Sequence, residues 1–200
     1  MRESSSTPRG LRVDVATGLL LGVRQVLSPN FDARPTGVGP ELIVVHGISL
    51  PPGEFGGPWI DRLFAGDLPG DAHPYFMEIA GMQVSAHVLV RRDGTLTQYV
   101  PLGARAWHAG ASDYRGRRAC NDFSIGIELE GTDELPYESL QYASLTAVIE
   151  ALLVAYPSLG REHIVGHSDI APGRKTDPGP AFDWRRLPGG GTGDSRSGFS

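Results

Sequence analysis

His167, Lys175 and Asp177 fall within one short stretch, which reads Ile164-Val-Gly-His-Ser-Asp-Ile-Ala-Pro-Gly-Arg-Lys-Thr-Asp-Pro-Gly179. An apolar run stops at a histidine and opens into a loop rich in proline and glycine, the pattern of a strand tip handing polar groups to a turn. From such a loop an imidazole, an ammonium and a carboxylate can be aimed at one point. The lysine is informative by its rarity: of 18 Lys+Arg in the chain, Lys175 is the single lysine. Lysine is a compact point charge with a tunable pKa, whereas arginine is a broad, permanently charged fork. Its retention here points to contact with one oxygen rather than to a solvated surface charge.

A second histidine closes a second apolar run. Leu42-Ile-Val-Val-His46 is a continuous aliphatic stretch rich in β-branched residues, the signature of a strand buried on both faces. A histidine at the carboxyl end of such a strand lies at the rim where open α/β sheets bind ligands. His46, His167 and Asp177 together make two imidazoles and one hard carboxylate, a common catalytic zinc set that leaves a fourth tetrahedral position open. The same donors would also suit ferrous iron. Their separation is too long for a zinc finger and the chain has one cysteine, so any metal here is catalytic rather than structural.

Phe123-Ser-Ile-Gly-Ile-Glu-Leu-Glu130 supplies the carboxylates for proton transfer. Its alternation puts Ile125, Ile127 and Leu129 on one face and Gly126, Glu128 and Glu130 on the other. Carboxylates on an apolar strand are costly unless they meet a cation or a metal, the alternative being a solvated sheet face. Glu128 is the first choice for moving a proton from water to a leaving amine, with Glu130 second. Zinc would lower the pKa of water to about 7. The ammonium of Lys175 would steady a developing oxyanion.

The remaining chain provides the elements that must hold these groups. The spacing predicts a short helix over 59–65 with Pro58 at its start, and another after Pro74. Strands over 84–90, which contain His87, and over 95–100 are joined through Arg92-Asp-Gly94, a strong hairpin signal. Arg105-Ala-Trp-His-Ala-Gly110 must be a loop, and Trp107 beside His108 is suitable lining for a sugar or peptide. A helix is expected between Pro136 and Tyr156, its apolar stripe running through Leu145, Val148, Ile149 and Leu152.

Composition bounds the rest. The 40% hydrophobic, 20% charged balance is that of an ordinary soluble domain, and no apolar run has membrane-spanning length. A net charge of −5 and a pI near 5.6 argue against nucleic acid as a partner. The single cysteine, Cys120, suits a reducing compartment, and the start has no run of signal-peptide character, so the expected location is cytoplasmic. One domain is expected over 12–187, between disordered tails at 1–11 and 188–200.

The separated motifs Val44-Val-His46, Val84-Ser-Ala-His87, Trp107-His-Ala-Gly110, Asn121-Asp-Phe-Ser-Ile-Gly-Ile-Glu-Leu-Glu-Gly-Thr-Asp133, Val165-Gly-His-Ser-Asp169 and Arg174-Lys-Thr-Asp-Pro-Gly179 occur in order over roughly residues 20 to 186. This set resembles the type 2 N-acetylmuramoyl-L-alanine amidase family. Ser49-Leu-Pro-Pro-Gly-Glu-Phe-Gly-Gly57 matches its cytoplasmic cell-wall-recycling members. The resemblance implies a mixed α/β fold, a single domain with a central mixed sheet flanked by helices and a zinc site at the sheet edge. It implies one Zn2+ on His46, His167 and Asp177, Glu128 as proton shuttle, and Lys175 at the transition state. The implied substrates are 1,6-anhydro-N-acetylmuramyl peptides, cut between the lactyl group and L-alanine by a monomer. Trp107, His108 and His87 would border the pocket.

Three positions depart from the pattern. Gly47 replaces an asparagine, Ser168 a cysteine, and Ala119 an arginine that would grip the stem peptide's carboxylate. Arg117 or Arg118 would then take over that grip. Two other readings stay open: a lytic amidase acting on intact wall, and a peptidoglycan-binding module without catalysis.

Overall fold

A computed structural model describes residues 10–188, so the expected tails lie almost wholly outside the described residues. The centre is a six-stranded mixed sheet. Its strands, numbered in chain order, are β1 (Arg24–Gln25), β2 (Leu42–Ile48), β3 (Val88–Val90), β4 (Leu96–Gln98), β5 (Ser124–Glu130) and β6 (Ile164–Gly166). The spatial order is β6-β2-β5-β3-β4-β1. The four strands β6, β2, β5 and β3 run parallel, while β3 and β4 form the antiparallel hairpin that the Asp-Gly turn predicts.

Helices cover both faces. Ile125, Ile127 and Leu129 of β5, with Ile43 and Val45 of β2, pack against α3 (Ser139–Ala155) through Leu145, Val148, Ile149 and Leu152. That helix starts later than Pro136, because Glu138 and Gln141 close a capping box that satisfies its first amides. On the opposite face, Leu89 and Tyr99 pack against Ile60, Leu63 and Phe64 of α1 (Trp59–Ala65). A short α2 (Phe76–Ile79) follows, as expected after Pro74.

The structure changes four details of the sequence reading. β2 does not stop at His46 but runs on to Ile48. The first hairpin strand is only Val88–Val90, so His87 precedes it. β6 ends at Gly166, and His167 instead opens a one-turn helix, α4 (His167–Ile170), whose first turn is held by Gly166 N–H donating to Asp169 Oδ2 at 2.8 Å. Finally, β5 has no solvated face: all seven of its residues are buried. Glu130 accordingly serves the fold rather than chemistry. It accepts from Arg91 Nη1 at 3.2 Å, Gly56 N at 2.7 Å and Arg92 N at 3.3 Å, tying the 49–58 loop to the sheet.

Candidate active site

Parallel pairing in register places Glu128 of β5 directly beside His46 of β2, on the same face. β6 pairs with β2 up to Gly166↔Val45, so the residue that follows, His167, emerges at the same end. Asp177 returns on the proline-rich loop, anchored where the Ser168 amide donates to its carbonyl oxygen at 3.0 Å. Three strand ends and one loop therefore converge at the β6 edge of the sheet.

The three donor atoms form a near-equilateral triangle. His46 Nδ1 lies 3.0 Å from His167 Nδ1 and 3.2 Å from Asp177 Oδ2, and His167 Nδ1 lies 3.1 Å from Asp177 Oδ2. Zinc–nitrogen bonds of about 2.0–2.1 Å in a tetrahedron hold ligand atoms roughly 3.3 Å apart, close to these edges. Among the described residues this is the one group of histidine, cysteine and acidic side chains placed to hold a metal ion.

Electrostatics favour the ligand forms. Burial pushes His46 down to about 4, against hydrogen bonding from Asp177, so its ring is neutral at neutral pH. Burial would raise Asp177, but its close contacts with the His167 and His46 rings outweigh it and hold the carboxyl well below the usual range. His167 Nε2 faces the Ala109 carbonyl at 3.2 Å, an acceptor only, so that nitrogen carries the proton and Nδ1 keeps its lone pair for the cluster.

Glu128 is different. Its Oε2 is buried and has no hydrogen-bond partner. Burial first, and then the Asp177 charge, push its pKa well above the ordinary glutamate value, with Lys175 opposing. Buried polar atoms are nearly always satisfied, so an orphaned carboxylate oxygen beside a ligand cluster is a group kept free for a proton.

His46, His167, Asp177, Glu128, Lys175, Trp107 and His108 all line one cavity of about 280 Å³, whose other wall is apolar, with Leu63, Phe64, Ile79 and Val84. Lys175 is exposed at its mouth. Trp107 is braced by Asp32, which accepts from its indole at 3.3 Å and from Arg105 at 2.6 and 2.5 Å. His87 is not at this border: it is fully enclosed, Nδ1 accepting from the Gly126 amide at 3.0 Å. Arg117 pairs with Glu41 at 2.7 Å and lies over Phe123, and Arg118 lines a separate recess beside Gly110 and Ala119.

Several contributors have no clear mark in the sequence. Asp32 lies in a two-residue strand, Phe31–Asp32, that pairs with Arg105–Ala106, and Arg34 follows it. Arg34 is half-buried and donates to the carbonyls of Leu102, Asn121, Asp122 and Ser124. Tyr137 donates to Pro178 O at 3.0 Å and fills the space beside Gly47, where an added Cβ would sit 2.5 Å from its hydroxyl. Only Ser124 had a signal, since it alternates with Gly126 and Glu128 on one strand face.

With the geometry set out, comparison with known proteins gives the class. The chain belongs to the N-acetylmuramoyl-L-alanine amidase family, a family of hydrolases, whose model matches residues 36–180. Relatives narrow the likeness. The 1,6-anhydro-N-acetylmuramyl-L-alanine amidase AmpD of Escherichia coli strain K12 is 62% identical over 170 residues, covering 85% of this chain and 92% of that protein. A solved crystal structure of a selenomethionine AmpD derivative superposes with a TM-score of 0.84 at 60% identity, over 86% of this chain and 95% of that one. The E. coli amidase AmiD, solved in complex with anhydro-N-acetylmuramic acid-L-Ala-D-γ-Glu-L-Lys, matches with a TM-score of 0.55 at 29% identity, over 78% of this chain and 59% of that one.

Proposed function

We propose that this chain, through one amidase domain over 12–187, hydrolyses the amide between the lactyl group of 1,6-anhydro-N-acetylmuramic acid and L-alanine in muropeptides, with one zinc ion and as a monomer. The observation that carries the reading is the triangle of His46, His167 and Asp177 donor atoms beside the unpartnered Glu128 oxygen. The names of its relatives supply the substrate class.

His46, His167 and Asp177 would hold the zinc. Bound there, zinc supplies Lewis acidity that polarises the amide carbonyl and makes water easier to deprotonate. Glu128 takes a proton from the attacking water as its oxygen bonds to the carbonyl carbon. It returns that proton to the amide nitrogen as the C–N bond breaks and a free amine leaves; the second water proton stays on the new carboxyl group and is lost to solvent, leaving a carboxylate on the lactyl group. A raised pKa suits the second half, because the carboxyl must hold the proton between the two transfers. The ammonium of Lys175, at the mouth of the cavity, would meet the charge that develops on the carbonyl oxygen. Trp107 and the apolar wall exclude water and orient the sugar.

The single cysteine is buried and unpaired, which fits the reducing cytoplasm where such recycling would run. Among the described residues no helix is long and apolar enough to cross a membrane. The test is to incubate purified protein with anhydro-muropeptide and with intact sacculi, with and without chelator. Peptide should appear from the muropeptide, stop on chelation and resume on adding zinc. Release from sacculi alone would favour a lytic enzyme, and release from neither a binding module.

A further inference from the structure

His46 and His167 offer the same nitrogen, Nδ1, to the cluster, but their rings are oriented by different means. A neutral imidazole has one N–H and one lone pair, and only the lone pair binds a metal. His167 is set by a backbone carbonyl, Ala109 O, which can only accept. His46 has no such fixed acceptor. Its Nε2 faces His108 Nδ1 at 2.8 Å, with the rings nearly perpendicular.

We infer that His108, backed by Ser124, is a positioning residue that fixes which ring nitrogen of His46 is bare. This rests on the reading that the cluster holds zinc. If His46 Nδ1 binds the metal, Nε2 carries the proton and donates to His108 Nδ1. His108 must then carry its own proton on Nε2, where Ser124 Oγ lies 3.0 Å away and accepts. The direction of the whole chain follows from the ligand's need for one lone pair. Ser124 is itself held, since Arg34 donates to its carbonyl at 2.8 Å. The His108 backbone is held as well, its amide donating to Asn121 Oδ1 at 3.2 Å.

Gly126 makes the arrangement possible. A Cβ there would lie 2.6 Å from His108 Nδ1 and 2.8 Å from its Cδ2, so any side chain would evict the ring. Three alternate residues on one face of β5 thus divide the work: Ser124 anchors His108, Gly126 gives it room and Glu128 reaches the reacting atoms.

The experiment is zinc competition with a chromophoric chelator on the purified full chain, comparing wild type with His108→Leu, Ser124→Ala and His108→Asn. Losing such an outer partner costs about 10- to 100-fold in metal affinity, so His108→Leu should lose that much and Ser124→Ala less. His108→Asn, whose Oδ1 can accept where Nδ1 stood, should recover most of it. Long-range 1H–15N spectra of the zinc-loaded protein give a readout that a merely space-filling role would not set. His46 and His108 should each carry their ring proton on Nε2. The inference is overturned if His108 carries its proton on Nδ1, or if folded His108→Leu and Ser124→Ala hold zinc as tightly as wild type. A wild type that takes up no zinc instead sinks the parent reading, and this one with it.

Discussion

The metal-ligand cluster and the Asp113–Arg118 ribbon lie at opposite extremes of constraint. His46 and His167 are 1% and 2% exposed, one within β2 and the other directly after β6, and every ring nitrogen has a partner. The ribbon pairs two residues with two, Asp113–Tyr114 with Arg117–Arg118, and its ion pair between Arg117 and Glu41 leaves both side chains more than two-fifths exposed. Exposed pairs of that kind contribute about 0.2–1 kcal/mol. Under the proposed function the difference would separate two tasks: a reacting centre, which central strands must hold to tenths of an ångström, and a peptide-end contact, which can be adjustable.

The sharpest way to break this contrast is Asp177→Ala. Removing one of three donors from a catalytic site should abolish both zinc retention after dialysis and peptide release. A metal-free Asp177 variant that still hydrolyses would end the mechanism. Glu128→Gln should instead keep the metal and cut turnover by about 10²- to 10⁴-fold, the usual worth of a positioned acid–base group. Metal analysis and single-turnover rates on the same sample separate the two effects.

The contrast also marks where sequence reasoning succeeded. His46, Glu128 and His167 sit on or directly after apolar strands, and parallel pairing aligns strand ends, so a histidine closing an aliphatic run was informative. The helices over 59–65 and 139–155 were legible from the same hydrophobic spacing. The groups around the site were not, because Asp32 reaches it from a strand of two residues, and Arg34 and Tyr137 from loops, whose course no periodicity encodes. Glu130 illustrates the limit. Alternation puts it on the same face as Glu128, and only the course of the hairpin, which delivers Arg91 to it, decides that it is structural.

His87 tests whether constraint extends behind the site. Burial pushes its pKa down to about 3, with Arg34 adding to the effect, against roughly 6.5 in an unfolded chain. Between those values the unfolded state binds the proton and the folded state does not, so stability should fall as pH drops from about 6.5 towards 3. His87→Asn, which can still accept from the Gly126 amide, should flatten that slope. Urea midpoints against pH on metal-free protein, where zinc loss contributes nothing, would show it.

A smaller effect is expected at Gly47, which packs against Tyr137 beside the cluster. Gly47→Ala drives a methyl into the Tyr137 hydroxyl and should cost about 1–3 kcal/mol, as overpacking does. Tyr137→Phe removes the obstructing oxygen, so the double variant should be less destabilised than the sum of the singles, by chemical denaturation. Additive costs would mean that the hydroxyl moves aside, and that this corner of the site is looser than the triangle beside it.

The smallest effects belong to the ribbon. Arg117 is occupied by Glu41 and by the Phe123 ring, 3.8 Å from its guanidinium carbon, so taking a peptide carboxylate would mean giving up one of these contacts. Arg118 is exposed and lines the recess beside Ala119 and Gly110, and it would be the residue free to meet a peptide carboxylate there. Arg118→Ala should therefore raise KM for a muropeptide with a free stem carboxylate several-fold and leave kcat unchanged, as loss of uniform binding does. Arg117→Ala should leave both constants near wild type while slightly lowering stability. Equal KM effects from the two would mean that Arg117 abandons Glu41 for substrate. A fall in kcat from either would mean that the ribbon is coupled to the cluster, and that the two regions are not independent.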